Sequence, residues 1–552
     1  MSNAITYWLF AGGFFIALLG VGVVQFVGLR GVDNDDERAF DYWIGTGSLP
    51  GWWIAASLAA GWLLIGWMTW QMYLWYTFGL GAIWIFTIPW ILCTIGLVFV
   101  PKLFRRFPGT SIPEILRFRY SQAVQTLLGP IQRFVFLSWL AAEVFVLSTA
   151  LSIPLETSPE LLAVIVSVVF GIYVVLGGFR SVLRTDLIQF VLASGLLVVL
   201  TVGALSEAAS IAGGFGNIIG QINQNPPAFA DGFFDWDSPG LGYMLLSIII
   251  YTPGFVVLQG AWQRVMSAKD VGEAQKGMYW NLAFNVGIVI LLPTLIGIAT
   301  LVIFPPVDGQ VASEVGTFGY FIFTSLITEL FGSPIIGGVL ILSLMGMALS
   351  SVDTYVNVCA MNISRDVLEP LVYERYDVSG KQKLIIGRLL VGVFVIAALA
   401  WAFVFPGLFD IYFFSTALLT ATTAIAVFAA FSDQTTTLAV YLGIIFGGVS
   451  TFAFFGLQQA GLNGWEPSFI ASSGLGYGLW GLLFAIIGFA IGMRFGEPPS
   501  DERLSIYDTK YYSGRNEMFE QNKQLKRRDE EIRTQQSGTG SQGAARFAED
   551  DD

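Results

Sequence analysis

Apolar runs recur along this chain from residue 6 to about residue 493, and each is close to the roughly 20 residues a helix needs to cross a bilayer. Nothing else in the sequence limits the possible folds so tightly. Of 552 residues, 55% are hydrophobic and only 12% are charged, and mean hydropathy is +0.67. A water-soluble domain of that make-up would expose far too much apolar surface. The runs give thirteen expected spans: 6–28, 49–77, 80–101, 122–149, 161–178, 184–206, 240–262, 278–303, 335–359, 384–404, 407–431, 437–457 and 475–493. The first has no basic stretch before it, so it is read as a retained span and not a cleaved signal. An all-α integral membrane protein is expected.

The charges orient it. Arg30 and Arg38 lie in the first loop, Lys102, Arg105, Arg106, Arg117 and Arg119 in the third, Arg180 and Arg184 in the fifth, Arg264, Lys269 and Lys276 in the seventh, and Arg365, Arg375, Lys381 and Lys383 in the ninth. Loops of the other parity carry acids such as Glu156, Asp231, Asp235, Asp237, Glu314 and Glu466 and neither Lys nor Arg. Basic short loops stay cytoplasmic, so the N-terminus is expected outside and the C-terminus inside. The chain has no histidine and two cysteines, Cys93 and Cys359, both in apolar or membrane-proximal helix. This argues against a disulfide framework, a zinc site and the commonest general base, and no nucleophile–base pair suggests an enzyme.

Composition marks breakpoints in two spans. The second has a small-residue patch from Ala55 to Gly61, and the seventh has Thr252-Pro253-Gly254 in its middle. Proline removes a helical hydrogen bond and glycine loosens the turn. Interrupted spans in corresponding positions of two halves point to an inverted repeat with a site at mid-membrane. The expected layout is an N-terminal span and loop (1–48), a first five-span repeat (49–206), an outer loop (207–239), a second five-span repeat (240–431), two further spans (432–494) and a tail (495–552). The tail is polar and charged; it is expected to be cytoplasmic and mostly disordered, with a short helix around 515–534.

Several motifs then appear in order. They are the aromatic entry segment DYWIGTGSLP, the segment opening at Pro108 (PGTSIPEILRFRY), and a Gly177-Gly178 turn followed by Arg180, Thr185, Asp186 and Gln189. Further on come Gln263-Arg264 and SLMGMALSSVDTYVN running to Ser364-Arg365-Asp366. Together they resemble the sodium:solute symporter family over about residues 5–430. The resemblance implies a LeuT-like five-plus-five inverted repeat with one extra N-terminal and two extra C-terminal helices. It also implies Na+ as coupling ion, held by carbonyls at Ala56, Ala59 and Met347 and by the hydroxyls of Ser350 and Ser351, with Asp186 as a further metal-site candidate. Positions 347, 350 and 351 share one helical face, and their oxygens are hard donors suited to an alkali cation. Leu58 stands where some relatives, proline carriers among them, have an acid, which argues against proline.

The solute is expected beside the breaks, against Trp62, Trp67, Tyr251, Phe255 and Gln259. Glu143 and Asp353 are buried acids that could bind a second cation or a proton. The expectation is a sodium-coupled carrier of a small organic solute in a prokaryotic cell membrane, a functional monomer without nucleic-acid partners. A proton-coupled carrier and a solute-sensing transceptor are the alternatives.

Overall fold

The computed structural model describes residues 3–549 except 46, 106–108, 405–406, 472 and 505–513, and in the last helix describes side chains as far as 534. Thr46 and Pro108, which belong to motifs above, lie outside the described residues. Among the described residues the fold is entirely helical apart from two isolated bridges, Leu49 with Ala268 and Val307 with Gln310. Twelve helices are long and apolar enough to cross a membrane, and a bent pair makes a thirteenth. This agrees with the expected number.

In chain order the elements used below are α1 (Asn3–Arg30), α2 (Asp35–Ile44), α3 (Gly51–Ala60), α4 (Ile65–Phe78), α5 (Ile88–Phe104), α6 (Ile112–Arg119), α7 (Gln122–Ser152), α8 (Pro159–Gly177) and α9 (Phe179–Ala212). They continue with α10 (Leu241–Val256), α11 (Gln259–Ser267), α12 (Val271–Phe284), α13 (Leu291–Ile303), α14 (Pro334–Met361), α15 (Gly380–Val404), α16 (Leu408–Leu419), α17 (Thr437–Gln459), α18 (Gly476–Phe495) and α19 (Gly514–Glu549). Local signals explain many of the starts. Asn34 caps α2 by accepting from the amides of Asp36 and Glu37, Ser111 caps α6 from Glu114, and Asp270 caps α12 from Glu273. Gly178 turns α8 into α9 with a φ of 57°, and a Cβ there would sit 2.4 Å from the Tyr42 carbonyl oxygen, so only glycine fits the turn.

α14 lies at the centre, packed on α9, α7 and α1, and α1 also packs on α8. α17 and α18 form a hairpin at the periphery. Large apolar side chains such as Leu9, Phe99, Val191 and Ile396 are exposed on the outer helices, as expected of a lipid-facing belt.

The short helix expected around 515–534 is present in the tail and packs on the rest of the chain. Residues 514–534 are helical and seated against α2, α6 and the segment after α14. Met518, Leu525 and Ile532, seven residues apart, are buried, and the Phe519 ring meets Phe40 at 5.3 Å. Asp529 is fully buried between Arg117 (2.8 Å) and Arg503 (2.6 Å), while Lys526 reaches Glu369 (3.1 Å) and Glu114 (3.3 Å). Arg515 reaches Asp41 (2.6 Å) and Glu37 (2.8 Å). A composition that cannot build its own core is ordered here by one apolar stripe and by charges on a surface already folded.

Candidate cation and solute site

α3 and α4 are the two halves of one span, bent by 68° across Gly61–Leu64. The break falls later than the small-residue patch suggests. Ala55, Ala56, Ala59 and Ala60 remain helical because alanine is the best helix former, and the helix yields only at Gly61. The Ala59 carbonyl therefore accepts from the amides of Trp62 and Leu63, each at 3.1 Å.

On α14, the Ser350 hydroxyl lies 2.7 Å from the carbonyl oxygens of both Ala60 and Met347, and the Ser351 hydroxyl lies 3.2 Å from that of Gly61. The oxygens that meet the serines are thus those of Ala60 and Gly61. Of the expected carbonyls, that of Met347 meets a serine hydroxyl, while Ala56 and Ala59 lie on α3 just before the break. Ala60, Gly61, Met347, Ser350 and Ser351 are buried or sit in the break. A set of neutral carbonyl and hydroxyl oxygens, closely spaced and shielded from water, fits a monovalent hard cation.

Asp186 is engaged elsewhere. Its carboxylate accepts from the Arg264 guanidinium at 2.9 Å and from the Ser57 hydroxyl. Arg264 also donates to Ser57 (2.8 Å), to Thr354 (2.9 Å) and to the Gly260 carbonyl (3.0 Å). Thr354 in turn donates to the Ser350 carbonyl at 3.1 Å. Asp186 is therefore linked to the serine-bearing turn through Arg264 and Thr354. Asp353 is held by the Tyr173 hydroxyl (2.8 Å) and Thr185 (3.2 Å), tying α14 to α8 and α9.

Glu143 has a different task. Its two carboxylate oxygens accept from the Gly66 amide at 3.1 and 3.3 Å, at the first turn of α4. That turn has no side-chain cap of its own, so the acid complements the positive end of a half-helix in the membrane interior.

The second interruption is also displaced. α10 passes through Pro253 and ends at Val256, and the chain leaves the helix at Val257 and Leu258 before α11. The Thr420 hydroxyl donates to the Ile250 carbonyl beside the proline, the kind of side-chain rescue that lets proline persist in membrane helices. Tyr251 and Phe255 on α10 and Trp67 on α4 share one aromatic cluster, and Trp62 joins its edge against Trp90 at 4.8 Å. Gln259 does not join it: its amide accepts from Ile112 N–H at 2.8 Å and donates to the Thr110 carbonyl at 3.3 Å, holding the start of α6. Trp90, Trp139, Tyr355 and Tyr412 also belong to the cluster, unforeseen because they come from four helices far apart in the sequence.

Residues 42–447 match the model of the "Sodium:solute symporter family". The chain belongs to this family. It is 30% identical to the sodium/glucose cotransporter of Vibrio parahaemolyticus over 331 residues, 54% of this chain and 55% of that protein, so the match spans about half of that relative's length. It is 24% identical to a sodium/sialic acid symporter of Aliivibrio fischeri over 385 residues, 68% of this chain and 73% of that one. The solved structure of a Na+-coupled sialic acid symporter in its substrate-bound, outward-open state shares the fold, with a TM-score of 0.70 at 19% identity, covering 90% of this chain and 99% of the other. The family assignment agrees with the order of the motifs, and the likeness of fold agrees with the five-plus-five layout.

Proposed function

We propose that this member of the sodium:solute symporter family carries a small organic solute together with Na+ across a cell membrane, by alternating access about the α3–α4 break. The reading rests above all on the oxygens of Ala60, Gly61, Met347, Ser350 and Ser351 gathered at that break. Sodium is cargo here: bound to these oxygens, it joins α14 to the broken helix and favours one pairing of the two. The names of the relatives, a sodium/glucose cotransporter and a sodium/sialic acid symporter, support the same coupling.

In this orientation the N-terminus is outside and the tail is cytoplasmic. The inner side of the site is then sealed by Arg105, which donates to the carbonyls of Met266 and Ala268 at 3.0 and 3.1 Å, and by Gln263, which donates to the Trp43 carbonyl at 3.0 Å. One Na+ entering down ~100 mV and a ~10-fold gradient supplies about 3.7 kcal/mol, enough to concentrate a neutral solute about 500-fold.

The test is sodium titration of the purified, full-length protein by intrinsic tryptophan fluorescence and thermal shift. A saturable response to Na+ that potassium does not produce is expected, and its loss in Ser351→Ala is expected with it. Identical responses to the two ions would sink the reading.

A further inference from the structure

The relatives' names point to sugars, but the mid-membrane cluster is poorly suited to one. We infer that the solute of this transporter is a compact organic cation with an alkylated ammonium head and one oxygen, choline being the simplest probe. The inference rests on the symport reading above and adds the substrate class.

Six helices contribute rings to the cluster, among them Trp67 (α4), Trp90 (α5), Trp139 (α7), Phe255 (α10), Tyr355 (α14) and Tyr412 (α16). Trp67 lies 5.3 Å from Phe255 and 5.5 Å from both Trp90 and Tyr412, and Trp139 lies 5.4, 5.7 and 5.9 Å from Tyr412, Tyr355 and Phe255. The rings come from both repeats and converge where both spans are interrupted. They are buried, so they do not belong to the aromatic belt at a membrane surface. Aromatic faces carry negative charge density and attract an ammonium group, more strongly when water is excluded.

Glu143 supplies the matching charge. It lies one helical turn from Trp139, on the same face of α7, and its carboxylate meets the amide of Gly66, the residue before Trp67. It is fully buried, and among the described residues it makes no ion pair. A carboxylate inside a membrane with only backbone donors lacks a counter-ion, and a cationic solute is one.

The same acid excludes the alternatives. The positive end of α4 is where an anionic solute group would bind, and Glu143 already occupies it. A sugar needs a polar partner for each of several hydroxyls. Two buried donors, the Trp67 indole N–H and the Tyr251 hydroxyl, have no hydrogen-bond partner among the described residues. Two donors suit one accepting oxygen, such as the hydroxyl of choline.

The test uses full-length protein at fixed sodium and ionic strength, with ligand binding read by tryptophan fluorescence. Choline is compared with 3,3-dimethyl-1-butanol, its neutral isostere, and with D-glucose and sialic acid. Choline is expected to bind at least about tenfold more tightly than the isostere, since the two differ only in the charge the rings and Glu143 recognise. Glu143→Gln should weaken choline about tenfold while leaving binding of the neutral isostere within about twofold. Trp139→Phe should retain choline binding better than Trp139→Leu, which tests the rings without touching the acid. Equal binding of choline and its isostere, or a response to glucose or sialic acid without one to choline, overturns the inference. A wild-type protein without any sodium response instead overturns the symport reading.

Discussion

The interruption between α3 and α4 and that between α10 and α11 occupy corresponding places in the two halves, yet they are built differently. The first is four residues long, bends the span by 68° and presents the carbonyls of Ala60 and Gly61 to two serines. The second is two residues long, and the chain on either side of it forms a single 27-residue span. Around it the work falls to side chains: Tyr251 and Phe255 above, Gln259, Gln263 and Arg264 below. A repeat thus supplies two breaks, but only the one that exposes backbone oxygen suits an alkali ion. The other suits a wall and an anchor.

The two breaks meet where Arg264 of α11 joins Ser57 of α3 and Asp186 of α9. Here the largest effect is expected. Arg264→Ala leaves a carboxylate buried without its cation and should cost about 3–5 kcal/mol. Arg264→Ala combined with Asp186→Ala should recover much of that loss, because no lone charge remains. Unfolding midpoints of the full-length protein in detergent decide it. A single variant as stable as wild type would show that the halves are not joined at this pair.

The next contrast separates the breaks directly. Ser351→Ala removes a hydroxyl at the first and should raise the sodium half-saturation of transport about tenfold, or about 1.4 kcal/mol. Thr420→Ala removes the hydroxyl that donates to the Ile250 carbonyl near the second and should leave sodium half-saturation within about twofold. Equal shifts in the two variants would mean that the ion bridges both breaks, and the asymmetry drawn here would fail.

Much of this was legible in the chain because it is written locally. Ser350 and Ser351 stand out as paired hydroxyls in an apolar helix, and Gly178 marks its turn by residue type alone. The breaks were placed three to five residues early for a physical reason. Helix propensity kept Ala55–Ala60 wound, and a threonine from α16's continuation supported the helix around Pro253, where composition alone suggested an end. The aromatic cluster draws its rings from six helices, and no local pattern announces such a set. The tail is the extreme case: Asp529 finds Arg117 across 412 positions, and the helix expected around 515–534 is seated by that distant surface, which no local pattern announces.

The smallest effect expected concerns how the second break is anchored from below. Gln259 holds the start of α6 through Ile112 and Thr110, and Glu114 in that first turn accepts from Thr110 and pairs with Arg365 (3.2 Å) and Lys526 (3.3 Å). Burial by itself would push the Glu114 carboxyl upward, but Arg365 and Lys526 beside it, with Thr110, hold its pKa down at about 2. A folded value below the ordinary 4.5 means that this carboxylate contributes stability that is fully present above about pH 4.5 and is lost as pH falls toward 2. Wild-type unfolding midpoints should therefore drop on going from about pH 5 to about pH 3, and Glu114→Gln should lower the midpoint at neutral pH while flattening that part of the profile. A Lys526→Met variant should flatten it partly, since Arg365 remains. If Glu114→Gln keeps the full acid dependence, the anchor beneath α11 does not depend on this charge, and the second break is held by Gln259 and the carbonyl contacts of Arg105 alone.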